Sequence, residues 1–197
     1  MVCLAALALS GCGAAAGPVR PDAEVTLLLG QRPSGLHVGI YLAAARGYDE
    51  TEGVELTIRR TGDARRLLRS RRVQAALLDA DELPGSGTVC VMALVQTPRP
   101  DHFLCVLRST LDERREEVAA LVRALQRGYS EAEVDPESGV EAVVAGTGGL
   151  DRATVAAQLD EISAAFEAGV PAVGYLERSR LPPGDFDFTI VGPVSRD

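Results

Sequence analysis

Short apolar runs alternate with amphipathic stretches along most of this chain. Glu24 to Leu29, EVTLLL, is apolar enough for a first buried strand. A helix is predicted from about Gly35 to Ala45, with Leu36, Ile40 and Ala43 or Ala44 on one face. Ser34 stands where a cap belongs, and Gly47 closes the helix. Val54 to Ile58 alternates apolar and polar positions, which predicts a second strand. Asp63 caps a short helix carrying Leu67 and Leu68, and Val73 to Leu78 reads as a third strand. After the Pro84-Gly85-Ser86-Gly87 loop, Thr88 to Val95 is a wholly apolar strand.

Thr97-Pro98-Arg99-Pro100 interrupts the alternation, and Phe103 to Leu107 begins another strand. Thr110 to Glu113 has the form of a capping box ahead of a long helix. Within that helix Val118, Leu121, Val122, Leu125 and Tyr129 recur at helical spacing. Asp135-Pro136-Glu137 starts a further helix and Asp151 caps another, with Val155, Leu159, Ile162 and Phe166 on one side. The tail DFDFTIVGPV, Asp185 to Val194, is predicted to be a final strand. The order βαβαββ followed by helices implies an α/β fold, a mostly parallel sheet flanked by helices.

The N-terminus adds a second layer. Val2 to Leu9 is an apolar run of eight residues, too short to span a bilayer and suited to a signal-peptide core. It ends in Leu9-Ser10-Gly11-Cys12, which resembles the lipobox of bacterial lipoproteins. That resemblance implies cleavage before Cys12 and lipidation of its thiol, although no Lys or Arg precedes the run. The expected organisation is a signal peptide over 1–11, an anchored linker over 12–23 and one lobe over 24–197. Only Cys90 and Cys105 then remain in the folded part, both in apolar strands. Two buried thiols is the simpler expectation, and a disulfide is open to them if the strands are neighbours outside the cytoplasm.

The hydrophobic fraction is 46% and the net charge is −8, and every one of the 20 basic residues is Arg. An acidic, exported chain does not suit nucleic acid. Seven arginines nevertheless crowd the segment from Arg59 to Arg72. A solvated helix face accounts for them, with contact to anionic lipid or an anionic ligand as the alternative. No Gly-x-Ser-x-Gly, phosphate loop, Cys-x-x-Cys or histidine cluster occurs, so neither catalysis nor a metal or other cofactor is expected.

The stretch VTLLLGQRPSGLHVGIYLAAARGYDETEGVELTI, from Val25, resembles the opening of type II clamshell periplasmic substrate-binding proteins. The branch is the one that takes thiamine-pyrimidine precursors, sulfonates, nitrate and taurine. VCVMALVQTPRP and the helices after Ser109 resemble later parts of the same family. Asp49 stands where Phe is usual, and Gln74-Ala75-Ala76 replaces an Asp-x-Gly. A whole second lobe is missing, since only QTPRPDH joins 24–98 to 102–197. The resemblance implies one lobe of a type II fold that binds a small molecule and hands it to an ABC permease, without enzymatic activity. A one-lobe remnant lipoprotein without ligand capture is the competing expectation.

Ligands of parallel α/β sheets bind at the carboxyl ends of strands. Ser34 and His37 lie there after the first strand, and Tyr41 follows one helical turn on. A neutral His37 imidazole beside a Tyr41 wall suits a flat polar ring or a small sulfonate; otherwise His37 faces solvent and Tyr41 packs. Asp79, Asp81 and Glu82 follow the third strand, where they hydrogen-bond an amine or are merely solvated. His102 is expected to be structural.

Overall fold

A computed structural model describes residues 23–83, 85, 87–96, 99–166 and 172–191. The signal-peptide, lipobox and linker expectations, Cys12 included, lie outside those residues, as does the end of the tail.

The sheet has five strands in the order β2-β1-β3-β5-β4: β1 (Ala23–Leu28), β2 (Val54–Arg59), β3 (Ala75–Asp79), β4 (Thr88–Ala93) and β5 (His102–Leu107). β2 and β3 run parallel to β1, while β5 lies antiparallel between β3 and β4. The expected mostly parallel α/β sheet is therefore present, with one reversed strand inserted. Two hydrophobic clusters cover its faces. On one side β1 to β5 pack against α1 (Val38–Ala45), α5 (Arg115–Val134), α6 (Pro136–Thr147) and α7 (Arg152–Ile162). On the other, Leu67 and Leu68 of α3 (Ala64–Arg69) meet Leu28, Leu78 and Phe103.

The predicted stripe of α5 is what the core uses: Val118, Leu121, Val122, Leu125 and Tyr129 are all buried. Close approach to α1 needs Gly128, because a Cβ there would lie 2.0 Å from the Gly39 carbonyl oxygen. The two departures from the family pattern have structural uses. Asp49, in the short α2 (Tyr48–Thr51), is buried, and its carboxylate accepts the Leu56 N–H at 2.7 Å. Gln74 clasps β1 by accepting the Thr26 N–H at 2.8 Å and donating its own to the Thr26 carbonyl.

Three expectations are corrected. Thr110 to Glu113 does not cap the long helix but belongs to a separate α4 (Arg108–Glu113). Arg114 breaks helical geometry (φ −132°, ψ 38°) and its guanidinium donates to the Glu24 carbonyl. The tail, as far as it is described, is not a strand. Phe186 makes one isolated bridge to Cys90, and its ring packs edge-on against Phe103 at 5.5 Å. The DFDF alternation serves ring burial along the outer edge of β4, which it covers without extending the sheet. Finally, Cys90 and Cys105 are not thiols: register pairs them across β4 and β5, and they form a disulfide.

Candidate functional site

The carboxyl ends of β1 and β3 and the start of β5 meet at one rim of the sheet. Gly30 turns the chain out of β1 with φ +73°, which a Cβ would resist, and delivers Gln31 to that rim. The Gln31 amide donates to both Asp79 carboxylate oxygens, at 2.7 and 3.0 Å. The register Asp79↔His102 brings the second histidine beside them. His102 Nδ1 lies 2.8 Å from Asp79 Oδ1, so one carboxylate is held between an amide and an imidazole.

The loop beyond Asp79 folds back as a 3-10 turn, Ala80–Glu82, in which Glu82 accepts the Asp79 N–H at 3.0 Å. Asp81 points to solvent. Arg65 of α3 donates to the Glu82 carbonyl. Between these elements lies a cleft of about 280 Å³, lined by Gln31, Asp63, Arg65, Asp79 and Glu82 among others. Three carboxylates against one guanidinium make it a surface of hydrogen-bond acceptors.

Of the residues singled out in the sequence, Asp79 and Glu82 line this cleft and Asp81 stands outside it. Ser34 begins the first turn as expected, but by a reciprocal arrangement with His37. The Ser34 N–H donates to His37 Nδ1 at 3.1 Å, and its hydroxyl lies 3.2 Å away. His37 is only 1% exposed, so it sits beneath the rim and not on its wall. With Nδ1 accepting, the ring proton is on Nε2, which is buried without a partner among the described residues. Tyr41 does not join the Asp79 group. It is buried against Gly146 and lines a separate groove with Ala44, Ile58 and Arg60. Sequence reasoning missed Gln31, and set His102 aside as structural; only the strand register places them together.

Burial lowers the His37 pKa to about 4, and the charge that His102 carries when protonated adds to the effect. The neutral ring expected from the sequence is thus kept by desolvation. The folded value lies below the ordinary 6.5, so the unfolded chain binds more protons between the two. The His37 contribution to stability is complete above pH 6.5 and is lost as pH falls toward 4. Urea denaturation across that window is expected to show the loss in the wild type. It should be smaller in His37→Gln, which lacks the buried imidazole.

No family model matches the chain, and no curated protein does. Solved structures are similar to it. One is a Candida albicans gene product described as defining a new family with the generic periplasmic binding protein structural fold. It aligns at a TM-score of 0.55 and 8% identity, over 70% of this chain and 78% of its own. The fold is that of a periplasmic binding protein. A protein from Bordetella bronchiseptica RB50 is similar over 88% of this chain and 93% of its own, with a TM-score of 0.54 and 12% identity. Identities this low speak for the fold alone. The rim described above is where a sheet of this kind offers its strand ends.

Proposed function

We propose that this chain is an extracytoplasmic binding protein that holds a small amine-bearing heterocycle, of the thiamine-pyrimidine kind, at the Asp79 rim. The observation that carries the reading is the cleft itself, in which Asp63, Asp79 and Glu82 face one arginine. Ring amino groups find acceptors there, whereas nitrate or a sulfonate meets like charge. Signal cleavage, lipidation of Cys12 on the outer face of the membrane and transfer to an ABC permease belong to the same reading. It includes no catalytic step.

A second reading, a one-lobe remnant without ligand capture, is favoured by the connection between β4 and β5. β4 ends at Ala93 and β5 starts at His102, and the Leu94 N–H already bonds the His102 carbonyl at 2.9 Å. No second lobe is inserted there to cover the ligand, and tight small-molecule sites bury most of their ligand.

Thermal unfolding with aminopyrimidines, taurine, an alkylsulfonate and nitrate separates these readings. An aminopyrimidine is expected to raise the midpoint by binding the native state, and Asp79→Asn to abolish the rise. A rise with the anions alone makes the ligand class wrong. A transition that none of them moves supports the remnant.

A further inference from the structure

We propose that the outer face of α3 and the end of β2 form a docking surface for an anionic phospholipid membrane. Along β2, Val54, Leu56 and Ile58 pack into the cluster beneath α1 and α6. Successive strand residues alternate faces, so Arg59 points to the opposite side, the one covered by α3. On α3, Leu67 and Leu68 are buried and Arg66 and Arg69 are exposed. Three residues apart, they share the helix's outer face. Arg72 follows at the foot of the helix, also exposed.

Arg59, Arg66, Arg69 and Arg72 have no carboxylate partner among the described residues; Arg59 donates only to the Thr61 carbonyl. Their neighbours differ. Arg71 is paired with Glu113, Arg65 is tied to the Glu82 carbonyl, and Arg60 to that of Thr147. Acids nearby include Asp63, whose carboxylate caps α3, Glu55 on β2, Glu113 paired with Arg71, and Glu82 in the cleft beside Arg65. Four guanidinium groups without a carboxylate partner among the described residues thus share one face of a protein whose net charge is −8. A solvated face in so acidic a chain has no need of that segregation.

Two observations select lipid as the occupant. No Phe, Tyr or Trp lies between Tyr48 and Phe103, so neither α3 nor the end of β2 itself carries a ring on which bases stack. Its lower end also lies beside β1, the strand by which the described chain enters the sheet. Gln74, two residues after Arg72, bonds Thr26 of β1, and the sequence before Ala23 leads to the linker and apolar run. The choice of occupant therefore rests on the anchoring part of the reading above, not on the solute. With the side of α3 on the lipid, the rim at its N-terminal end faces along the membrane and stays open.

The test uses the full unprocessed chain and two kinds of vesicle, phosphatidylcholine alone and phosphatidylcholine with about one-third phosphatidylglycerol. The apolar N-terminal run acts on both, so the ratio of the two partition coefficients isolates the charge term. Each arginine near an anionic surface is worth about fivefold in binding. Arg66→Gln with Arg69→Gln is expected to lower the ratio about twenty-fivefold, with the unfolding midpoint unchanged. Rising salt is expected to lower the wild-type ratio. A ratio near one, a ratio the variant leaves unaltered, or binding to a soluble polyphosphate but not to the vesicles overturns the proposal. Mass analysis of the chain expressed in a bacterium reads lipidation of Cys12 separately, so failure of the anchor is distinguishable from failure of the face.

Discussion

Tyr129→Ala is expected to destabilise the protein by about 4 kcal/mol, the cost of emptying a large aromatic site in a core that cannot collapse around it. Tyr129 is wholly buried in α5. Its ring packs edge-to-face on Phe166, centroids 4.9 Å apart. Across the helix interface it fills the space left by Gly39, where a Cβ would sit 2.2 Å from the ring. The hydroxyl donates to the Leu36 carbonyl at 2.7 Å. Leu36 immediately precedes His37 in the turn Gly35–His37, so α5 holds the rim's underside through this bond.

Tyr129→Phe separates the two roles. It keeps the ring and leaves the Leu36 carbonyl unpaired, at a cost of about 1–2 kcal/mol. Hydrogen exchange at the turn from Gly35 to Val38 is expected to quicken in that variant, while exchange in β4 and β5 follows global stability. Urea denaturation measures both variants. A loss below about 1 kcal/mol for Tyr129→Ala would mean that the α1–α5 interface is not packed as described.

Tyr129 also shows which part of the fold was legible in the sequence. Its place on α5 followed from spacing alone, because a helix that buries one stripe must repeat its apolar residues every three or four positions. The strands and the mostly parallel sheet followed from similar local patterns. Half of the candidate site did not. Asp79 was legible because it ends an apolar strand, whereas Gln31 and His102 meet it only through strand order and register. β5 runs antiparallel to β3, and nothing in FLCVL carries that direction. Ser34 and His37 were placed on the right turn, yet the depth of His37 depends on Gln158 and α7 packing over Gly35 from far along the chain. The tail misled for a related reason. Alternating Asp and Phe fits a strand, but Phe186 and Phe188 belong to the cluster beneath α3, which no local period describes.

Cys90→Ala with Cys105→Ala is expected to lower stability by about 3 kcal/mol, and the spacing of the two residues gives the figure. They are 15 residues apart, and closing a loop of that length removes about 3 kcal/mol of freedom from the unfolded chain. The folded state loses little in return, because both positions are 1% exposed or less and alanine leaves no polar atom unpaired there. The bond also bears on the rim. Cys105 is three residues from His102 on β5, and β4 leads to Gln96, whose side-chain amide donates to the Tyr175 carbonyl. Joining β4 to β5 fixes the strand that sets His102 against Asp79. Thiol titration in denaturant without reductant tests the pairing directly. The unprocessed chain has four cysteines, so two reactive thiols, those of Cys3 and Cys12, are expected, and four would remove the disulfide from the account. With the pairing established, reduction is expected to lower the urea midpoint of the wild type as far as the double substitution does. It should be slow until the protein unfolds, since Phe186 and Leu176 lie in the cluster that covers the sulfurs. Fast reduction of the native protein would show that the tail does not seal that edge of the sheet.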